Sequence, residues 1–471
     1  MLKALVKDVF IYGIAGGLSK SLMILLLPIY TRIFTPDEYG IVDLVTTVLM
    51  FLTIMSMLQM EAAIGRYFYE AKDEHENRRN LSTAFWTIIG CSALLIALLF
   101  LAAKPLSSLL FDTDKYSNLF LVTAAILPVS NIYAFLTALM RYVKKPILYG
   151  VFSLIQIILT LGSSILFVVQ MKLGIAGVFY GQLTGFAVAA AVMLLYSFRR
   201  KLLGLYWENA VIIRYLKFSL PLLPGMFSSW ANNYVNRFVM LSYLTLAEIG
   251  IFTVAFRIAS VFRILEDAVK MAWGPFLYQS LQKEDHRELF KTVFNYAVMV
   301  VFSLVIVLSL FADEIFSIFA TAEYKEAIHV MIILFLTLGI NTLVQIVLIG
   351  PVITKKTHYN SILQLTSLAV NIALLFIFVP KIGLIGVPLS LLCSTLTLFL
   401  LSWINTEKLY HVGYPKLVFI IALGTASSVV GISIYYNIDL TYRITIAVLV
   451  VAIAISMGNQ YFKSVKQHFD Q

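Results

Sequence analysis

Thr35-Pro36-Asp37-Glu38-Tyr39-Gly40-Ile41 returns 210 residues later as Thr245-Leu246-Ala247-Glu248-Ile249-Gly250-Ile251. Working outward, Gly65-Arg66-Tyr67-Phe68-Tyr69 is echoed by Gly274-Pro275-Phe276-Leu277-Tyr278, and Lys72-Asp73-Glu74-His75 by Lys283-Glu284-Asp285-His286. Lys144-Lys145 returns as Lys355-Lys356, and Gly174-Ile175-Ala176-Gly177-Val178 as Gly383-Leu384-Ile385-Gly386-Val387. Each match is weak alone, but five in one order at nearly one offset indicate a duplicated chain. Two homologous halves in a very apolar chain point to a transporter with its substrate path between the halves.

Composition fixes the solvent. Hydrophobic residues make up 60% of the 471 and charged residues only 13%, about half the charge of an ordinary soluble domain. Apolar runs of roughly 20 residues follow one another, each long enough to cross about 30 Å of hydrocarbon. Fourteen spans are expected, at about 9–33, 40–64, 81–103, 116–140, 147–170, 174–198, 215–244, 248–272, 291–311, 328–350, 358–379, 383–405, 415–437 and 441–462. The first is too long for a signal sequence and has no small-residue cleavage site, so it is read as a retained helix.

The repeat pairs spans one to six with seven to twelve. Six helices per repeat leave both halves in the same orientation, as parallel repeats. The fold class is therefore an all-α polytopic membrane protein, two six-helix lobes around a central cavity, with two additional C-terminal helices. Residues 1–205 form the first lobe, 206–408 the second, and 409–471 the appendix with a short tail. Cys91 and Cys393 fall in different spans and read as packing residues.

Charge sets the orientation. Alternate loops carry 23 of the 35 Lys and Arg, the other side only seven, which places both termini in the cytoplasm. The net charge of +10 is mainly this topogenic signal together with attraction to anionic membrane lipids. No basic soluble module exists for a nucleic acid. There is no Walker loop and no metal-ligand spacing among the six histidines, so neither a cofactor nor a metal is expected, and the chain is not read as an enzyme.

The remaining five basic residues lie inside the spans. Lys20 stands about 16 Å into span one, Arg257 near the middle of span eight, Arg263 in its inner half, Arg237 toward the outer end of span seven, and Lys270 at the inner rim. Each deep charge costs roughly 2.5–3.5 kcal/mol to insert unless paired or hydrated. A water-filled cavity that binds an anionic substrate accounts for four of them best. Arg263 has an alternative in an ion pair with Glu266 or Asp267, as Glu266 has with Lys270. Asp43 and Glu61, at opposite ends of span two, are interfacial groups, partners of the basic set, or ion-coupling carboxylates. Pro221, Pro224 and Gly225 interrupt span seven. Ser19, Trp230 and Asn233 are candidate substrate contacts beside the cations, with Ser229, Asn232, Tyr234 and Asn236 on the same polar stretch.

Leu27-Pro28-Ile29-Tyr30-Thr31-Arg32-Ile33-Phe34-Thr35-Pro36-Asp37-Glu38-Tyr39-Gly40, followed by Glu61-Ala62-Ala63-Ile64-Gly65-Arg66-Tyr67-Phe68, resembles the polysaccharide-biosynthesis (Wzx-type) flippases of the multidrug/oligosaccharidyl-lipid/polysaccharide exporter superfamily. The resemblance implies twelve core helices plus two. It implies translocation of an undecaprenyl-diphosphate-linked oligosaccharide across the bacterial cytoplasmic membrane for O-antigen or capsule, with polymerase and chain-length machinery as candidate partners. In the similar lipid II flippases, basic residues on helices one, two and eight engage the diphosphate. Lys20 and Arg257 occupy comparable helices, whereas span two departs from the pattern, offering only Arg66 at its inner end. Two rival readings are a cation-coupled multidrug exporter, which would favour deep acids, and a membrane glycosyltransferase or polymerase, which would favour a large outer loop with carboxylates.

Overall fold

The computed structural model describes residues 24–281, 283–356, 358–436 and 438–470, the last of these by backbone alone beyond Ser456. All regular structure among the described residues is helical. Among the described residues ten helices are long and apolar enough to cross a membrane, and one of them, the 53-residue run His358–Tyr410, holds two of the expected spans. The chain is a multi-pass membrane protein. Ten falls short of fourteen for identifiable reasons. The first expected span lies mostly outside the described residues, and the eighth is broken into two helices. The last has a shorter apolar core, Leu440–Ser456.

The chain divides into two compact units, Met1–Trp230 and Ala231–Gln471. Helical residues 24–30 precede α1 (Pro36–Met57), α2 (Met60–Tyr67), α3 (Glu74–Phe111), α4 (Ser117–Tyr142), α5 (Pro146–Ile165), α6 (Ile175–Arg199), α7 (Asn209–Ser219) and α8 (Leu223–Leu241). A 3₁₀ turn, Leu220–Leu222, joins α7 to α8. It stands where Pro221 and Pro224 remove backbone donors, which is the expected interruption. Within the first unit, Met60, Ile64, Leu81, Phe85, Phe135, Leu139 and Tyr215 close a core where α2, α3, α4 and α7 meet.

The second unit continues with α9 (Leu246–Ala259), α10 (Phe262–Ser280), α11 (His286–Leu310), α12 (Ala312–Phe319), α13 (Ala327–Val347), α14 (Gly350–Ile353), α15 (His358–Ile382), α16 (Gly386–Tyr410), α17 (Lys416–Tyr435) and α18 (Leu440–Asp470). Its spine is α13, buried along almost its whole length and packed by α9, α10, α11 and α16. Helices α17 and α18 both lie on α11. Arg443 of α18 pins this appendix by donating to the Glu314 carboxylate at 3.1 Å and to the Leu310 carbonyl at 3.3 Å.

The repeated motifs turn out to be the joints of the fold. In the first, the Glu38 N–H donates to Thr35 Oγ1 and the Thr35 N–H donates back to Glu38 Oε2. Thr245 and Glu248 make the same reciprocal pair, so both copies are capping boxes that satisfy orphan donors at a helix start. Lys144 and Lys355 both take a left-handed backbone, φ +53° and +60°. The next residue closes the turn in each case, Lys145 N–H on the Met140 carbonyl and Lys356 N–H on that of Pro351, the helix-ending pattern with a left-handed residue after the last turn. Gly174 and Gly383 match at φ +58° and +61°. Three residues on, a Cβ on Gly177 or Gly386 would meet the backbone of Phe167 or Phe378 within about 3.0 Å. Small residues there let successive helices touch.

Side chains repeat as well. His75 packs edge-on against Tyr206 with the Arg78 guanidinium over the same ring. His286 stacks on Tyr410 with Arg287 over it. A His–Tyr–Arg trio thus ties the segment after α6 to the start of α3 in the first unit, and the end of α16 to the start of α11 in the second.

Candidate substrate site

In the second unit the cations gather around an interruption between two helices. Helix α9 ends at Ala259 and α10 begins at Phe262. Arg257 occupies the last turn of α9, the negative end of the helix dipole, which favours a cation. Arg263 opens α10, where the same effect opposes it, and a neighbouring helix compensates: Arg263 Nη2 donates to Asn233 Oδ1 of α8 at 2.6 Å. Arg263 therefore reaches back to a neutral amide, and Glu266 pairs instead with Lys270 at 2.5 Å. The Asn233 bond uses one of the five guanidinium N–H donors and leaves the charge uncancelled.

Arg237 lies one turn beyond Asn233 on α8. Its side chain is 1% exposed and donates through Nη1 to the Asn233 carbonyl at 2.7 Å and to Asn236 Oδ1 at 2.8 Å. The guanidinium faces three rings, Phe256 at 4.9 Å, Phe252 at 5.0 Å and Tyr234 at 5.4 Å. Ring quadrupoles contribute about 0.5–2 kcal/mol each to holding a desolvated cation. Arg237 lies toward the C-terminal end of α8, and its side chain is buried within the second unit. The signal that could have shown it is Phe252 and Phe256, one turn apart on α9 and so on one face. Arg263 also touches Phe256, at 5.1 Å. The structure accordingly brings Asn233, Arg237, Phe256 and Arg263 together.

The first unit holds the other candidates. The Trp230 ring packs on Phe51 of α1 at 5.1 Å, beside Phe227 at 5.7 Å. Asp43 is buried on α1, 6% exposed. Glu61 on α2 forms an ion pair with Arg141, both side chains about 40% exposed, and its carbonyl accepts from Tyr142 Oη at 3.0 Å. Lys20 and Ser19 lie outside the described residues.

Two features of this unit are invisible in the sequence reading. Leu58 and Gln59 both take a left-handed backbone, φ 47° and 56°, and split the expected second span into α1 and α2 at about 1–2 kcal/mol per residue. Next to the split, Asn131 Nδ2 donates to Ser56 Oγ at 2.6 Å and Ser92 Oγ at 2.9 Å. All three residues are fully buried. An Asn three residues after Pro128 in an apolar helix is the available signal. Among the described residues no group of His, Cys, Asp and Glu could hold a metal ion.

The model of the family described as "Polysaccharide biosynthesis protein" matches residues 29–329, well over half of the chain. The succinoglycan biosynthesis transport protein ExoT of Rhizobium meliloti (strain 1021) is 23% identical over 241 residues, 50% of this chain and 45% of that protein. The chain thus spans less than half the length of that curated relative. Among solved structures, lipid II flippase MurJ in an inward closed conformation superposes with a TM-score of 0.70 at 16% identity, covering 97% of this chain and 99% of the other. A multidrug resistance MATE family transporter of the MOP superfamily, inward-facing, gives 0.61 at 14% identity over 87% and 95%. At these identities the two structures establish the fold. Each of these relatives carries the name of a transporter or flippase.

Proposed function

Because the chain belongs to the polysaccharide biosynthesis protein family, we propose that it flips a polyprenyl-diphosphate-linked oligosaccharide from the inner to the outer leaflet of the bacterial cytoplasmic membrane by alternating access. The observation that carries this reading is the arginine pair bracketing the α9–α10 break. Arg263 is held by a neutral amide rather than a carboxylate, so its charge stays available to an anion. Arg257 sits on a helix end that offsets its insertion cost. A diphosphate needs such cations in a low-dielectric setting.

In this mechanism Lys20 and Arg257 grip the diphosphate. Arg263 and the caged Arg237 supply positive potential, and Ser19, Trp230 and Asn233 contact the first sugars while the polyprenyl tail stays in lipid. Asp43 and Glu61, the latter paired with Arg141, are the candidate ion-coupling carboxylates of this scheme. The division into lobes 1–205 and 206–408 with appendix 409–471, and cytoplasmic termini, belong to the same proposal, as does delivery of the flipped product to polymerase and chain-length machinery.

The test follows lipid-linked oligosaccharide in cells lacking the protein. The intermediate should be made in full and stay confined to the inner leaflet, with surface polysaccharide lost. Extension or transfer of sugars by the purified protein in detergent would replace a flippase with an enzyme. Export of organic cations at the expense of a sodium or proton gradient would replace it with a drug exporter. Impermeant thiol labelling in a background free of Cys91 and Cys393 tests orientation separately. A cysteine at Lys355 should be protected in intact cells.

A further inference from the structure

The segment after α6 combines three properties. It is held rigidly, it presents large apolar side chains, and it follows a cluster of cations. Arg78 Nε donates to the Leu203 carbonyl at 3.1 Å, Trp86 Nε1 to the Gly204 carbonyl at 3.0 Å, and the Gly204 N–H to Ser82 Oγ at 2.8 Å. Arg79 pairs with Glu208 at 3.0 Å, and Leu203 is completely buried. On this fixed strap Leu205 is 83% exposed and Trp207 58%. The Trp207 indole N–H donates to Asn209 Oδ1 at 3.0 Å, which orients the side chain while most of its surface, like that of Leu205, stays outside the fold.

Just before the strap stand Arg199, Arg200 and Lys201, all exposed. Above them, Val188, Val192, Leu195 and Phe198 form an exposed apolar stripe down α6. The order along the chain is therefore apolar stripe, cation cluster, then an amphipathic Trp beside a Leu. A phospholipid monolayer presents the complementary order of acyl chains and anionic headgroups, and Trp is at home at that boundary.

We propose that the strap Leu202–Glu208, with Arg199, Arg200 and Lys201, is a docking surface for anionic phospholipid, with Leu205 and Trp207 inserted at the headgroup level. It fixes the first unit to the membrane surface and is separate from the arginines of the substrate site. The proposal does not depend on the flippase reading.

The full chain is reconstituted into vesicles carrying bromine-labelled phosphatidylglycerol or bromine-labelled phosphatidylcholine, and tryptophan quenching is measured. The Trp207 contribution is the difference between the wild type and Trp207→Phe. Brominated lipid sits in both leaflets, so the result is independent of protein orientation. Each cation at an anionic surface raises local preference by about fivefold, so quenching of Trp207 by the anionic lipid should exceed that by the zwitterionic lipid by at least about threefold. The excess should collapse in Arg199→Gln/Arg200→Gln/Lys201→Gln, and in the unmodified protein at about 1 M salt, where screening shortens to about 3 Å. Leu205→Ser should lower quenching by both lipids. Equal quenching by the two lipids would overturn the proposal. So would no quenching by either, the result expected if the strap instead docks a soluble protein.

Discussion

The helices Pro36–Tyr67 and Leu246–Ser280 start from the same capping box, yet the cargo they carry is opposite. At the 210-residue offset, Arg257 and Arg263 stand where the first repeat has Thr47 and Thr53. Thr47 is buried, 1% exposed, and Thr53 hydrogen-bonds its own helix at the Leu49 carbonyl. The first copy has no Lys or Arg before Arg66 and instead buries Asp43; the second carries Arg257, Arg263 and Lys270. Both copies break, the first at Leu58–Gln59 and the second at Ser260–Val261. The lesson is that duplication preserved what terminates and joins helices, while the faces of this one helix diverged toward different chemistry.

Moving residues across this comparison tests it. The largest effect is expected from Arg257→Thr, which gives the second copy the first copy's residue. Losing a charged contact to a diphosphate costs about 2–5 kcal/mol, roughly thirtyfold or more in translocation, with membrane abundance near normal. Complementation of surface polysaccharide, normalised to protein level, reads it, and full activity would remove the cationic mechanism. Lys20→Ala should behave alike.

The reverse exchange, Thr47→Arg, places a charge where the first copy is tightly packed. It should cost about 3 kcal/mol and appear as lost abundance, so normal accumulation would mean the site is hydrated. Next comes Arg237→Leu. It removes two hydrogen bonds and three ring contacts from a buried cation while leaving the rings packed, a loss of about 1–3 kcal/mol. Thermal unfolding in detergent should move downward and activity fall in proportion. An activity loss with unchanged melting would make Arg237 a direct substrate ligand. The smallest effect belongs to Glu61→Gln. Its pair with Arg141 is about 40% exposed and contributes at most about 1 kcal/mol. Stability and transport should hardly change, whereas a collapse of gradient-driven transport at unchanged stability would make Glu61 the coupling carboxylate.

The joints of the fold were legible in the sequence because turns and caps need particular residues. Gly174 and Gly383, Lys144 and Lys355, and the two Thr–Glu pairs announce themselves by recurring. The break at Leu58–Gln59 left no such trace, since neither residue is a Gly or Pro and tertiary packing must hold the left-handed backbone. The arginines were legible as charges in apolar runs, but their neighbours were not. Sequence spacing pointed Arg263 to Glu266 or Asp267 on its own helix, and the structure turned it to Asn233 across to α8. The burial of Arg237 needed the aromatic face of α9, which the spacing of Phe252 and Phe256 marks but only packing turns toward Arg237. The Asn131 knot joins three helices, so the Asn after Pro128 marks the position locally while its partners Ser56 and Ser92 emerge only on packing.

Lys144 and Lys355 repay a last look. A glycine would take their left-handed backbone without strain, and a lysine carries about 1–2 kcal/mol there. The chain nevertheless keeps lysine at both sites, each followed by a second lysine. In the proposed orientation, with these loops cytoplasmic, what lysine would supply and glycine cannot is a charge that the insertion machinery senses as the polypeptide emerges, before any turn has formed. These two positions thus read as a compromise between biogenesis and the mature state, in which a small permanent strain preserves an instruction used once, during synthesis.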